Sequence, residues 1–520
     1  MIWENNSMNN GAELILVSDN VFSGLENEPF FGYVAIKDDK ILKTGKGSVP
    51  EELISDNTKM INLKEKTLLP GFIDVHCFFT GYVIRFLGSD LSECTNIELI
   101  RDKLEKYEKT LPQNYPIFGH GLKFNIDRIT LDDWFVDHAV VLFHENMETC
   151  SMNTKAEKDF SFTPDRCYPE AYVKILPYVL GDGEFIKPEF IKYMKMMNSR
   201  GVTSIKEMGF DDYCGFTDIL SQLEKDGQLT LRVNFMSQPV GEEINFEYGE
   251  KMRELYNSDK LCFSGYNQMT DGSVSEYNAD LKKPYNGKDF CCNMVIDWDK
   301  LEKDTIEADK RGFRFSLHAQ GDGAIAKTLD IYEKCQRDEK GKMINRHAIT
   351  DLEFSDPSDL ERMGRMGVIA EIYPQIQSIA KRKDKLAMIN EKIGEERGRY
   401  YWNRRKMADS DVTISCGTDL PLLIDDIPES VYHATGGLFP EGGEPFNRQN
   451  TLTISELLKA WTYGGAYNLG KENILGTLED GKKADIAVID GDIFNTPIEK
   501  VRDLKVCLTI FDGKIVYEGE

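Results

Sequence analysis

The sequence predicts an α/β fold, a (β/α)8 TIM barrel with an insertion after its first strand, joined to a small β-sandwich domain formed from both termini. Three observations predict it. Short apolar strands alternate with amphipathic charged stretches through the middle of the chain. Both ends carry β-rich runs with hairpin turns. The 520 residues, 41% hydrophobic and 29% charged, suffice to bury a sizeable core.

At the start, ELILVSDNVF precedes GYVAIKDDKILKTGKG, with Asp38-Asp39 as the turn. At the end, KADIAVIDGD precedes VCLTIFDGKIVYEGE, turning at Asp512-Gly513. The composite sandwich is expected over 1–66 and 471–520, and the barrel over 67–470. Barrel strands are read in TLLPGFIDVH, GVTSIKEMG, FRFSLHAQG, GVIAEIY and VTISCGTD. Helices are read in IELIRDKLEKYEKTL, EFIKYMKMMNSR and ISELLKAWTYGGAYNLG. Residues 81–190 are less regular and richer in aromatics, as expected of the insertion.

Side chains at the C-terminal ends of barrel strands face the active-site mouth. Strand-end polar residues are therefore the candidates: Asp74, His76, Lys206, Glu207, Asn267, Asp271, His318, His347, Asp351 and Asp419. Imidazoles and carboxylates converging from different strands suit a hydrolytic metal that acidifies its bound water.

At these positions the chain resembles the amidohydrolase superfamily, and within it the YtcJ-like branch, amidohydrolase family 3, which includes N-substituted formamide deformylase. The pieces that carry the resemblance are LPGFIDVH, GVTSIKEMG, MTDGS, LHAQGDGAIAKTLD, RHAITDLE, GTDLP and the tail LGTLEDGKKADIAVID. They follow the family's order over nearly the whole chain. The resemblance implies a barrel of the metal-dependent hydrolase type with a terminal β-sandwich, and hydrolysis of a non-peptide C–N bond in a small organic substrate.

The departures bear on the chemistry. Where the family has His-x-His, the first strand reads His76-Cys77-Phe78. Asn267 stands at the place of the bridging lysine, and Thr350-Asp351 at a Glu-His pair. Asn146-Met147-Glu148 matches an Asp-Gly-His segment. An asparagine carries no bridging carbamate and phenylalanine binds no ion, so a two-metal site is not expected. His76, His318, Asp351 and Asp419 could form one mononuclear site for zinc, iron or manganese. The alternative is a metal-free pocket in which His318, Asp351, Asp419 and Glu148 are acid–base groups, giving a lyase, isomerase or hydratase. A catalytically silent binding protein is the third reading. In the hydrolytic reading Asp419 is the base, and Asn267, Asp271, His120 and Phe78 are the candidates for lining the substrate.

Cys77, adjacent to His76, is expected to point into the core, because alternation along a strand turns it from His76's face. The run 381–406 reads as a solvated helical lid, with Tyr400, Tyr401 and Trp402 poised to close over substrate. With 63 basic and 88 acidic residues the net charge is −25, which excludes nucleic acid and anionic membranes as partners. No basic-then-apolar leader opens the sequence, and scattered cysteines suggest reduced thiols, so a cytoplasmic enzyme is expected, as a homodimer.

Overall fold

The computed structural model describes residues 11–145, 149–164, 170–209, 213–239, 242–423 and 426–519. They divide into two compact units, one of Met1–Cys77, Met194–Met208 and Gln228–Glu520, the other of Phe78–Tyr193 and Gly209–Gly227.

The first unit holds a parallel eight-stranded barrel. Its strands are Phe72–Cys77, Val202–Gly209, Arg232–Ser237, Leu261–Met269, Phe315–Ala319, Ala348–Asp351, Ile369–Ile372 and Ile414–Cys416, side by side in chain order. The last strand returns to the first, where Leu420 bridges Cys77 in parallel. All six residues of Phe72–Cys77 and all eight of Val202–Gly209 are buried. Parallel strands covered on both faces require such continuous burial, which explains their unbroken apolar runs. Outer helices follow the strands. Pro357–Met366, for example, is capped by Asp356 at its start and ends at Gly367 with φ of 70°, the left-handed stop that glycine makes cheaply.

Eight further strands form one sheet from both chain ends, in the order Lys514–Glu518, Val506–Phe511, Ile486–Ile489, Thr67–Pro70, Leu14–Val21, Phe30–Lys37 and Lys40–Lys46, with Lys59–Asn62 beside Leu14–Val21. Leu14, Leu16, Val34, Ile36, Ile486, Val488, Leu508 and Ile510 fill its core; their two-residue spacing puts them on one strand face. Both expected hairpin turns form, with φ of 54° at Asp38, 48° at Asp512 and 75° at Gly513. Arg232, fully buried at the start of the third barrel strand, ties barrel to sheet. It donates to both Asp485 oxygens at 2.8 and 3.0 Å and also meets Asp512 and Asp259.

The second unit has a four-stranded sheet, Cys150–Met152, Val140–His144, Ile117–Leu122 and Ser89–Asp90 in that order. Helices Ile97–Glu108 and Arg128–Trp134 supply Ile100, Leu104 and Leu131 to a core with Ile117 and Leu142. A separate aromatic group, Phe79, Phe190, Tyr193 and Phe216, packs within the same unit.

Among the described residues no disulfide forms, and no helix is long and apolar enough to cross a membrane. The 381–406 stretch is helical over Arg382–Lys392 and Glu395–Gly398. Its aromatics correct the lid expectation. Tyr401 and Trp402 are buried in an apolar cluster with Val274, Tyr285, Phe439 and Phe446, so they act as core rather than as a free flap.

Candidate active site at the barrel mouth

His76 and Asp419 end the first and last strands and are locked at the backbone, where the Asp419 N–H donates to the His76 carbonyl at 2.7 Å. Gly417 allows this approach, since a Cβ there would stand 2.5 Å from the His76 Cβ. Asp74 completes the seam. Its Oδ1 accepts from the backbone N–H groups of Thr418 at 3.1 Å and His76 at 3.2 Å, and its Oδ2 from the Thr418 hydroxyl at 2.6 Å. The His76 Nε2 then lies 3.7 Å from Asp419 Oδ1.

The fifth and sixth strands provide a second pair, His318 Nε2 and Asp351 Oδ2 at 3.3 Å. Asp351 and Leu352 have φ of 80° and 58°. Left-handed backbone at two successive non-glycine residues is strained, and such strain persists only where the surroundings impose it. It turns the Asp351 carboxylate toward His318 at the strand's end.

Inside the barrel, beneath His76, lies a charged network of which the strand-end reading named Lys206 but missed its partner Glu371. Lys206 Nζ contacts Glu371 Oε1, and both side chains are fully buried. Asn468 Nδ2 donates to the same oxygen at 2.9 Å, while Thr350 Oγ1 donates to Oε2 at 2.8 Å. Glu371 Oε2 is 3.6 Å from His76 Nδ1. The available signal was a glutamate within the apolar run GVIAEIY and a lysine within GVTSIKEMG, two opposite charges on strands with no exposed face.

Burial sets the ionisation of each group, modified by its partner. Burial pushes the Asp419 carboxyl up to about 8, helped by the Asp351 charge and opposed by His318. Burial holds His76 below the ordinary histidine value despite Glu371. For His318 burial also disfavours the charged ring, but the Asp351 carboxylate outweighs it and the pKa rises. Glu371 resists its burial because Lys206, His76 and Asn468 hold it well below the usual carboxylate range. Lys206 is lowered to about 8 by burial, against the pull of Glu371.

The other expected residues are engaged differently. Asp271 does not present a free carboxylate to substrate. Its oxygens accept the backbone N–H groups of Gln320, Gly321 and Asp280 at 2.8 to 2.9 Å, so it ties loops together. Asn267 donates to Gln238 Oε1 at 2.8 Å, and its Oδ1 has no hydrogen-bond partner among the described residues. His120 and Phe78 belong to the second unit, where His120 Nδ1 meets the Leu87 carbonyl at 3.0 Å. Glu148 lies outside the described residues. Cys77 is buried in the core, as strand alternation predicts.

His76, His318, Asp351 and Asp419 do not fit a bound ion as arranged. No three described His, Cys, Asp or Glu side chains of the mouth bring ligand atoms within 4.8 Å of one another; they stand as two pairs. The Lys206 ammonium beside Glu371 already places a cation next to His76. One group away from the mouth, Asp309, Cys335 and His347, does have ligand atoms that close. Its hydrogen bonds oppose coordination. His347 Nδ1 accepts from the Phe315 N–H at 3.0 Å, which leaves the proton on Nε2, directed at Asp309 at 2.9 Å. Burial pushes the Cys335 thiol up to about 12, so with no ion beside it the thiol keeps its proton.

The sequence pattern of the Amidohydrolase family matches residues 59–517. The chain belongs to the amidohydrolase family. Among its relatives, the "Putative amidohydrolase YtcJ" of Bacillus subtilis (strain 168) is 22% identical, over 96% of this chain and 98% of that protein. An N-substituted formamide deformylase of Arthrobacter pascens is 26% identical, over 41% of this chain and 38% of that protein. A solved structure of an uncharacterised metal-dependent hydrolase from Pyrococcus horikoshii superposes with TM-score 0.70 at 20% identity, covering 94% of this chain and 99% of that one. The amidohydrolase fold of this chain is thus a hydrolase's barrel, with the charged groups Lys206 and Glu371 in its interior.

Proposed function

We propose that this amidohydrolase cleaves a non-peptide C–N bond, such as an amide, formamide or cyclic amide, in a small organic substrate held in the barrel mouth. The observation that carries the reading is the meeting of two histidine–carboxylate pairs, His76 with Asp419 and His318 with Asp351, at the ends of four barrel strands. Family membership and the similarity to a formamide deformylase support the bond class.

The chain's own side chains can complete the chemistry. Neutral His76 takes a proton from water on Nε2 as the water oxygen adds to the carbonyl carbon. The His318–Asp351 pair keeps positive charge beside the developing oxyanion. Asp419, expected from the sequence to be the base, has a carboxyl raised to about 8; it is therefore given the acid's role instead, passing its proton to the departing nitrogen as the C–N bond breaks. The proton on His76 then returns to Asp419 across the 3.7 Å contact, restoring both groups.

The test is incubation with N-substituted formamides, acyl amides and cyclic amides in water labelled with oxygen-18. Release of amine or ammonia with label in the carboxyl product, abolished by His318→Ala, is the expected result. No nitrogen product from any of these classes would overturn the hydrolytic reading. A second reading, a metal-independent lyase or isomerase, is favoured by the separation of the donors into two pairs; turnover without incorporated label would select it.

A further inference from the structure

We propose that Glu371, paired with the buried ammonium of Lys206, is a positioning residue that fixes His76 as the Nδ1–H tautomer and leaves its Nε2 lone pair facing Asp419. The inference rests on the mouth being the reacting site, but its geometry comes from the barrel interior.

Glu371 and Lys206 are both fully buried, on the seventh and second strands. A buried carboxylate needs partners for its oxygens, and here each partner is a donor. Oε1 takes Lys206 Nζ and the Asn468 amide at 2.9 Å. Oε2 takes the Thr350 hydroxyl at 2.8 Å and faces His76 Nδ1 at 3.6 Å. The donors are themselves held in place. Asn468 Oδ1 accepts from Arg314 at 2.6 Å and from Lys206 at 3.3 Å, and Asn468 Nδ2 also reaches Ser415 Oγ at 2.9 Å.

An ionised carboxylate can only accept, so the ring nitrogen facing it carries the proton. In a neutral imidazole the other nitrogen is then bare, and that nitrogen, Nε2, stands 3.7 Å from Asp419. Lys206 is the cation in direct contact with Glu371, and without it the carboxylate would keep only the Arg314 charge, which reaches it through Asn468. A protonated Glu371 would donate to Nδ1 and reverse the tautomer, turning the Nε2 proton toward Asp419. The pair thus decides whether His76 can accept a proton from the mouth side.

The test is nitrogen-15 NMR of protein with labelled histidine, with the His76 signals assigned by their loss in His76→Asn. In the unaltered protein Nδ1 should resonate as a protonated nitrogen and Nε2 as a bare one. Glu371→Gln, whose amide can donate as well as accept, should remove that preference. Lys206→Met should shift the population toward Nε2–H. A bare Nδ1 in the unaltered protein overturns the proposal even if neither variant folds, and so does an unchanged His76 spectrum in folded Glu371→Gln. These spectra need no substrate, so a failed hydrolysis screen and a failed tautomer assignment are separate results.

Discussion

The Asp419 N–H donates to the His76 carbonyl at 2.7 Å, so the first and last barrel strands close directly beneath the side chains that the chemistry requires. The two side chains meet 3.7 Å apart, with that of Asp419 still 27% exposed at the mouth. Replacing Asp419 by asparagine keeps the backbone lock and its shape but removes the proton to be donated. The expected loss in kcat is about 10²–10⁴-fold with the fold intact, read by steady-state kinetics and circular dichroism.

The pH profile follows from the same residue. With its carboxyl at about 8, Asp419 is in the acid form at neutrality, so kcat should fall as pH rises through about 8. A limb rising there instead would assign Asp419 the base role.

Stability should carry the opposite cost of these desolvated acids. Asp419 is raised to about 8 and Asp74 and Asp271 to about 6, each chiefly by burial. A carboxyl raised on folding binds more protons in the native state, so its contribution is fully present below about pH 4 and is lost as pH rises through the folded value. The part due to Asp419 is therefore lost between about pH 4 and pH 8. Thermal unfolding over that range should show a flatter pH dependence for Asp419→Asn than for the unaltered protein.

The pairing of His318 with Asp351 at 3.3 Å predicts that Asp351→Asn lowers the His318 pKa, because the carboxylate that favours the charged ring is gone. A histidine NMR titration reads the shift. A His318 value unchanged by Asp351→Asn would break the assigned pair.

Much of this was legible in the sequence. Alternation of strands and charged helices marks the barrel, and the paired terminal hairpins mark the sheet, because side-chain periodicity is a local property. His76, His318, Asp351 and Asp419 were legible as strand ends. The Lys206–Glu371 pair was not, since its members are 165 positions apart and only barrel closure brings them together. Asp271 invited a substrate role because an acidic loop residue shows its charge in the sequence, while its partners are backbone N–H groups that the sequence does not distinguish. Tyr401 and Trp402 suggested a flap for a similar reason, as their apolar neighbours come from four other segments.

In the proposed mechanism the mouth works through two histidine–carboxylate pairs rather than one converging metal set. Elemental analysis of protein purified without chelator, paired with turnover before and after chelator treatment, tests it most directly. The expected result is less than about a tenth of an equivalent of zinc, iron or manganese, the ions such donors would take, and turnover that the chelator leaves unchanged. About one equivalent of any of them, with activity lost on chelation and restored by the metal, would contradict it.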